Sequence, residues 1–118
     1  MEEIKPPAEQ PTTSDIIDEG PPPRFEILRQ EPGFCAIYKP AGFHVHQPED
    51  PRRRVSKNLI CMNNLRDQLD QYIYPVHRID VGTDGVLLFA LDKPSAADLC
   101  GQFENGVVRK TYFAIVRG

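Results

Sequence analysis

The sequence has 118 residues, enough for one small domain, and carries a formal net charge of −3 at pH 7. No apolar run approaches the roughly 20 residues needed to span a bilayer, and the acidic start lacks the basic and apolar segments of a secretion signal. The 3 cysteines lie far apart in apolar surroundings, which indicates reduced core thiols and excludes a disulfide framework. We therefore expect a cytoplasmic protein without membrane contact.

The first 24 residues differ in composition from the rest of the chain. They hold six of the 12 prolines, six acidic residues, two basic residues and few apolar side chains. Such a segment cannot bury enough apolar surface to offset its ordering entropy, so residues 1–24 are predicted to form a disordered acidic tail. Residues 25–118 then form the domain, with a charge near +1 that neither implies nor excludes a nucleic-acid partner.

Apolar stretches predict the first elements of the domain. Phe25 to Leu28 indicates a strand, and the breaker residues 31–33 indicate a hairpin that leads into a buried strand from Phe34 to Tyr38. The polar stretch 47–55 is predicted to be a loop. The basic run of Arg52, Arg53, Arg54 and Lys57 is either a solvated loop surface or a set of phosphate contacts.

A helix is predicted after this loop, with Ser56 as its capping residue. Its apolar residues recur at spacings of three and four: Leu59, Met62, Leu65 and Leu69. This spacing is typical of a helix with one buried face, so we expect the helix to pack on a sheet.

The second half of the domain is predicted to contain three strands and a helix. Strand character returns from Tyr72 to Val76, and the apolar run from Val86 to Leu91 indicates a central strand covered on both faces. Ser95 and Asp98 resemble a capping box for a helix that Asn105 and Gly106 would end.

The last segment alternates from Val108 to Val116 and predicts a strand with Lys110 and Tyr112 on the same face. Two helices and several strands joined by hairpin-like turns predict an α+β fold with a mainly antiparallel sheet. Because the chain ends at Gly118, directly after this strand, we expect an interrupted domain.

The segment richest in chemistry is HRID at residues 77–80, which lies between two apolar strands and is followed by VGTDG. On one interpretation Arg78 and Asp80 simply pair or cap a turn, since Asp near Gly is ordinary turn chemistry. On the other, the reactive side chains form a catalytic site.

Three separated segments together resemble the RluA-type pseudouridine synthases. KPAG at residues 39–42 resembles the early strand and turn of that family. HRID at residues 77–80, followed by Thr83, Gly85 and VLLFAL, is similar to the catalytic motif, in which a leucine often stands at position 79. The resemblance implies the fold of the amino-terminal part of a pseudouridine synthase catalytic domain.

The third segment runs from Lys110 through Tyr112 to Gly118 and resembles the strand that carries the family's active-site tyrosine. The resemblance thus extends over residues 26–118, with its motifs in the family's order. LRDQL at residues 65–69 is most similar to the tRNA-modifying members, such as TruC.

The resemblance implies an RNA pseudouridine synthase that acts on tRNA or rRNA. Breaking the bond between C1′ and N1 of uridine and rejoining C1′ to C5 is an isomerisation that requires no metal or cofactor. Asp80 would be the nucleophile, attacking either C1′ of the ribose or C6 of the uracil. The target base must first leave its stack in the RNA, at a cost of a few kcal/mol.

The remaining site residues follow from the same resemblance. Arg78 would contact RNA beside the flipped nucleotide, and Tyr112 would lie against the uracil and assist removal of the C5 proton. Thr83, Lys110 and His77 are expected to support RNA binding. Plainer interpretations stay open: Tyr112 as a core residue of a half-buried strand, and Lys110 as a cover for the sheet edge.

No metal site is expected, because His44 and His46 lack further ligands, and nothing indicates the oligomeric state. The chain departs from the family at Asp84, where a serine is usual, so we expect more negative charge beside Asp80. Family domains also continue past the tyrosine strand and supply an arginine to the nucleophile. The alternative is therefore an inactive, truncated fragment that at most binds RNA weakly through Arg52 to Arg54, Lys57 and Arg78.

Overall fold

The computed structural model describes residues 20–117, so residues 1–19 of the predicted tail lie outside the described residues. The sheet has four strands in the order β1-β2-β4-β3: β1 (Ile27–Gln30), β2 (Phe34–Lys39), β3 (Tyr74–Pro75) and β4 (Gly85–Ala90). The helices are α1 (Cys61–Leu69) and α2 (Lys93–Glu104), and short 3-10 turns cover Pro51–Arg53 and Lys57–Leu59. Every strand pair is antiparallel. The predicted α+β fold with an antiparallel sheet is confirmed.

The predicted hairpin is the pair β1 and β2, closed by a bond from the backbone N–H of Glu31 to the carbonyl of Phe34 at 2.9 Å. β1 begins two residues later than predicted. The cause is Phe25, whose backbone N–H and C=O both bond the side-chain amide of Gln68, at 2.8 and 3.0 Å. The backbone of Phe25 is therefore attached to α1 instead of to a neighbouring strand.

β4 is central in the sheet, between β2 and β3, as the apolar run predicted. The prediction that both faces of β4 are covered, however, is only partly correct. Leu87 and Phe89 are fully buried on one face, whereas Val86 on the other face is 56% exposed. That second face is closed only toward Ala90, near the end of β4 that leads into α2.

The predicted start of the first helix at Ser56 was wrong. Ser56 instead caps the 3-10 turn, with its Oγ accepting the N–H of Asn58 at 3.2 Å. Helix α1 starts only after Ile60, because residues around Ile60 form a parallel bridge with His44. The N–H of His44 donates to Leu59 at 2.8 Å, and the N–H of Cys61 donates to His44 at 2.8 Å. This non-local pairing holds the chain extended at Ile60.

The capping box predicted at Ser95 is also incorrect, because the N-cap of α2 is Asp92. Its carboxylate accepts the backbone N–H of Ser95 at 2.7 Å, which satisfies one of the free donors of the first turn. The predicted stop is confirmed: Asn105 is the C-cap, and Gly106 follows with a φ of 70°, in the left-handed region that glycine tolerates.

The strand predicted from Val108 to Val116 does not form. This segment has no regular secondary structure and is mostly exposed, with Tyr112 at 60% and Phe113 at 97% exposure. A strand requires a neighbour for its backbone donors and acceptors, and within residues 20–117 no other strand pairs with this segment.

The core lies between one face of the sheet and helix α1. Its buried members are Phe25, Cys35, Ile37, Val45, Cys61, Leu65, Ile73, Leu87 and Phe89. All three cysteines are free thiols, and burial raises the pKa of Cys61 to about 11. The expectation of reduced core thiols holds fully for Cys35 and Cys61, whereas Cys100 is only half-buried.

The strand predicted from Tyr72 to Val76 is reduced to the two residues of β3, where Pro75 has no N–H to donate.

Candidate active site

A cleft of about 630 Å³ opens where two loops approach each other. One loop follows the KPAG turn and the other contains HRID. The lining residues are His44, Val45, His46, Gln47, Pro48, Glu49, Arg53, Val55, Arg78, Ile79, Asp80 and Val81. The cleft thus combines two carboxylates, two arginines and two histidines with apolar side chains.

Asp80 lines this cleft and lies in a backbone turn that is fixed on both sides. Its own carbonyl accepts the N–H of Thr83 at 3.0 Å, and the carbonyl of Val81 accepts the N–H of Gly42 at 2.7 Å. The Asp80 side chain is exposed, and no residue from 20 to 117 forms a hydrogen bond or ion pair with its carboxylate. The backbone is therefore held, while the carboxylate is available to a substrate.

Lys39 supports this turn from inside the protein. Its side chain is fully buried, and its ammonium donates to the carbonyls of Phe43, Pro40 and Val81 at 2.9, 3.0 and 3.2 Å. Burial lowers the pKa of Lys39, and the carboxylates of Asp84 and Asp80 oppose that shift. One cation thereby joins the KPAG turn to the residue that follows Asp80.

His77 is not among the residues that line the cleft, and it connects the HRID loop to the sheet. The backbone N–H of Leu88 donates to its Nε2 at 3.0 Å, so the neutral ring carries its proton on Nδ1. The ring stacks on Phe103 of α2, with centroids 4.4 Å apart and an interplanar angle of 13°. Burial lowers the pKa of His77, and the nearby cation of Lys110 lowers it further.

Asp84, the residue at which the chain departs from the family pattern, is paired with β2. The hydroxyl of Tyr38 donates to its Oδ2 at 2.9 Å. This hydrogen bond and the negative charge of Asp84 raise the pKa of Tyr38. The second carboxylate is thus engaged on the sheet surface, and it is not among the residues that line the cleft.

The structure brings together only some of the predicted site residues. Asp80 and Arg78 line the cleft, the backbone N–H of Thr83 bonds to Asp80, and His77 bonds to β4. Lys110 instead lies over Phe103, with its Nζ 5.8 Å from the ring centroid. Tyr112 is exposed and does not line the cleft.

Sequence patterns do not single out three residues of the cleft region: Lys39, Gln47 and Arg53. Lys39 stands out only as part of KPAG, since a lysine is almost never fully buried unless it is paired. Gln47 lies in a predicted loop, and its contacts with the backbone of Val55 have no local sequence signal. Arg53 stands out only as part of its basic run.

Residues 20–117 contain no group of three or more His, Cys, Asp or Glu side chains that could hold a metal ion. In the same part of the chain, no helix is long and apolar enough to cross a membrane.

Comparison with known proteins identifies the family. Residues 33–118 match the family model described as RNA pseudouridylate synthase. Over 94 residues the chain is 50% identical to tRNA pseudouridine synthase C of Pasteurella multocida, and over 95 residues it is 46% identical to that of Haemophilus influenzae. Each alignment covers 80% of this chain and 37% or 38% of the relative, so the chain spans little more than a third of these proteins.

A solved structure shows the same fold. Human RNA Pseudouridylate Synthase Domain Containing 1 superposes with a TM-score of 0.56 at 19% identity, over 75% of this chain and 31% of that one. The motifs around Lys39 and Asp80 both fall within the matched residues. The chain therefore belongs to the RNA pseudouridylate synthase family, as its resemblance to the RluA-type enzymes predicted.

Proposed function

We propose that this chain carries the nucleophile of an RNA uridine isomerase, and that Asp80 attacks uridine in the cleft. The observation that carries the proposal is the state of Asp80: its backbone is fixed, while its carboxylate has no partner among residues 20–117. A nucleophile needs both properties, since it must be positioned and must also be free to react. Membership of the family supports the reaction type.

The reaction exchanges one bond of the uridine for another. Asp80 attacks C1′ of the ribose or C6 of the uracil and forms a covalent bond there, and the bond between C1′ and N1 breaks. C1′ then joins C5, and the bond to Asp80 breaks again, which regenerates the free carboxylate. The proton on C5 leaves and N1 gains one, so atoms and electrons balance without a cofactor or metal. Attack at either carbon uses the same carboxylate and the same cleft.

Arg78 is proposed to contact the RNA. It lies two residues before Asp80 in the same loop and lines the same cleft. Within residues 20–117 its guanidinium has no ion pair, so it is available to a phosphate or to the space left by an extruded base. His77 and Thr83 would then act by holding the HRID loop in place.

Tyr112 and Lys110 keep their proposed roles only if the segment after α2 approaches the cleft. In that arrangement Tyr112 would stack on the uracil and assist removal of the C5 proton, and Lys110 would contact RNA. Both side chains are exposed in the present structure.

tRNA is the RNA we favour over rRNA, because the matched bacterial relatives are named tRNA pseudouridine synthase C. We also propose a cytoplasmic location, in keeping with the three unpaired thiols.

The proposal is tested by incubating the chain with unmodified tRNA, digesting the RNA to nucleosides and quantifying pseudouridine by chromatography. The chain should form pseudouridine, Asp80→Asn should form none, and Asp84→Asn should retain activity. Asp84 is the matched control, since it lies in the same loop outside the cleft. A folded chain that binds tRNA but forms no pseudouridine would support the non-catalytic alternative.

A further inference from the structure

Gln47 closes the loop at residues 47–55 with two hydrogen bonds to one residue. Its Nε2 donates to the carbonyl of Val55 at 2.7 Å, and its Oε1 accepts the N–H of Val55 at 3.1 Å. We call this pair of bonds the Gln47 clamp. A side-chain amide that satisfies both backbone groups of a residue eight positions away fixes the two ends of the loop to each other.

The interior of the loop is also ordered. Asp50 caps the 3-10 turn Pro51–Arg53, accepting the backbone N–H of Arg52 at 3.0 Å. The guanidinium of Arg52 bonds both carboxylate oxygens of Asp50, at 3.2 and 3.0 Å. The hydrogen bonds from Arg52 lower the pKa of Asp50, which keeps this carboxylate ionised and engaged. Arg52 is therefore not available to a ligand in this arrangement.

Arg53 differs from its neighbour in that it lines the cleft. Its backbone N–H is bonded to the carbonyl of Asp50 at 2.9 Å, but no hydrogen bond or ion pair within residues 20–117 engages its guanidinium. The other charged residues that line the cleft are Arg78, Asp80 and Glu49. Two cations and two anions give no strong overall field, so an anion would be recognised by direct contact with the arginines.

We propose that the loop at residues 47–55 is a preorganised phosphate-binding site for the RNA backbone, with Arg53 as the contact and Gln47 as its positioning residue. The inference rests on the proposed function, because the phosphate is that of RNA whose uridine reaches Asp80. Arg53 and Arg78 line one cleft with Asp80, so they are placed for phosphates that flank the reacting nucleotide. A fixed loop lowers the entropy lost when the arginine binds.

The clamp is tested first, without RNA, by limited trypsin digestion. Trypsin cuts after arginine, and Arg52, Arg53 and Arg54 all lie in the loop. Gln47→Leu should speed cleavage there by about tenfold, because local opening exposes the bonds. Gln68→Leu is the matched control. It removes an equivalent pair of hydrogen bonds, from the side-chain amide of Gln68 on α1 to the backbone of Phe25. Equal cleavage of the parent and Gln47→Leu would overturn the clamp.

The phosphate role is tested by titrating bulk tRNA at several salt concentrations. Arg53→Gln should weaken binding about three- to tenfold and reduce the salt slope by about one. Gln47→Leu alone should also weaken tRNA binding. If Gln47 acts through Arg53, adding Gln47→Leu to the Arg53→Gln variant should weaken binding by less than about a further twofold. Gln68→Leu should bind tRNA as tightly as the parent does, even if it is as strongly destabilised as Gln47→Leu.

The outcomes separate this inference from the proposed function. If Arg78→Gln weakens binding and Arg53→Gln does not, RNA enters the cleft without contacting the loop, and only the inference is overturned. If Gln47→Leu weakens binding equally in both backgrounds, it does not act through Arg53, and its positioning role is refuted. If the folded parent binds no tRNA, the proposed function and the role of Arg53 both fail, while the trypsin result still decides the clamp.

Discussion

The Nζ atom of Lys39 lies 3.2 Å from the carbonyl oxygen of Val81, so a fully buried ammonium holds the residue that follows Asp80. The same atom donates to the carbonyl of Pro40 in the KPAG turn and to that of Phe43 directly after it. Two motifs that are about 40 residues apart in sequence are thus joined at one buried charge. This contact gives a physical reason for the lysine in the first motif.

Lys39→Met should lower the free energy of unfolding by about 2 kcal/mol or more, since buried carbonyls would lose their donor. Urea denaturation would measure the change. Lys93→Met, at an exposed position of α2, should alter stability by less than about 0.5 kcal/mol. Equal stability of Lys39→Met and the parent would contradict the supporting role of the buried ammonium.

The stability of the fold should depend on pH through His77. Its pKa lies below the ordinary value of 6.5, because burial and then Lys110 disfavour the cation. Neutral His77 therefore contributes stability that is fully present above pH of about 6.5 and is lost as pH falls through the lowered pKa. Protonation would also remove the acceptor of the Leu88 N–H.

Urea midpoints measured between about pH 7.5 and pH 5 should reveal this contribution. His77→Gln keeps an acceptor but does not titrate, so its stability should fall less steeply over the same range. Parallel curves for the two proteins would exclude His77 as the titrating group.

The bond between Tyr38 and Asp84 should be visible in the titration of the tyrosine. Asp84 raises the pKa of Tyr38 above its ordinary value of 10.0, chiefly through the hydrogen bond. In Asp84→Asn, Tyr38 should titrate at lower pH than in the parent, which NMR of ring-labelled tyrosine can follow. Because both side chains are exposed, we expect little change in the free energy of unfolding. An unchanged Tyr38 titration would show that the bond does not form in solution.

Arg78 should contribute to tRNA affinity, either by contacting a phosphate or by occupying the space that the extruded base leaves. Arg78→Gln is expected to weaken tRNA binding and to reduce the salt slope by about one, if a phosphate is the contact. Arg29→Gln is a suitable control, since Arg29 pairs with Glu31 at 2.7 Å on the hairpin, away from the cleft residues. A weaker affinity with an unchanged salt slope would instead favour stacking by Arg78.

Local sequence patterns predicted the elements whose signals are contiguous in the sequence. The hairpin of β1 and β2 and the central position of β4 follow from apolar runs and breakers, and the end of α2 follows from Asn105 and Gly106. The start of α1 could not be predicted in this way, because the bridge between His44 and Ile60 is a tertiary contact.

The site residues likewise divide into those that a contiguous motif predicts and those that depend on tertiary contacts. Asp80 and Arg78 were predicted because the HRID motif is contiguous, and both line the cleft. The Gln47 clamp depends on an amide that meets the backbone eight residues away, and no residue pattern signals it. The segment containing Tyr112 alternates like a strand, but pattern alone does not supply the neighbour that a strand requires.

The central claim is that Asp80 is the nucleophile of a uridine isomerase, and release of tritium from C5 of uridine tests it most directly. Parent and Asp80→Asn chains would be incubated with unmodified tRNA labelled at that position, after urea denaturation has shown both to be folded. We predict release by the parent and none by Asp80→Asn, since only the aspartate can form the covalent bond to the nucleotide. Equal release by both chains would contradict the role of Asp80, and no release by a folded parent would contradict catalysis by this chain.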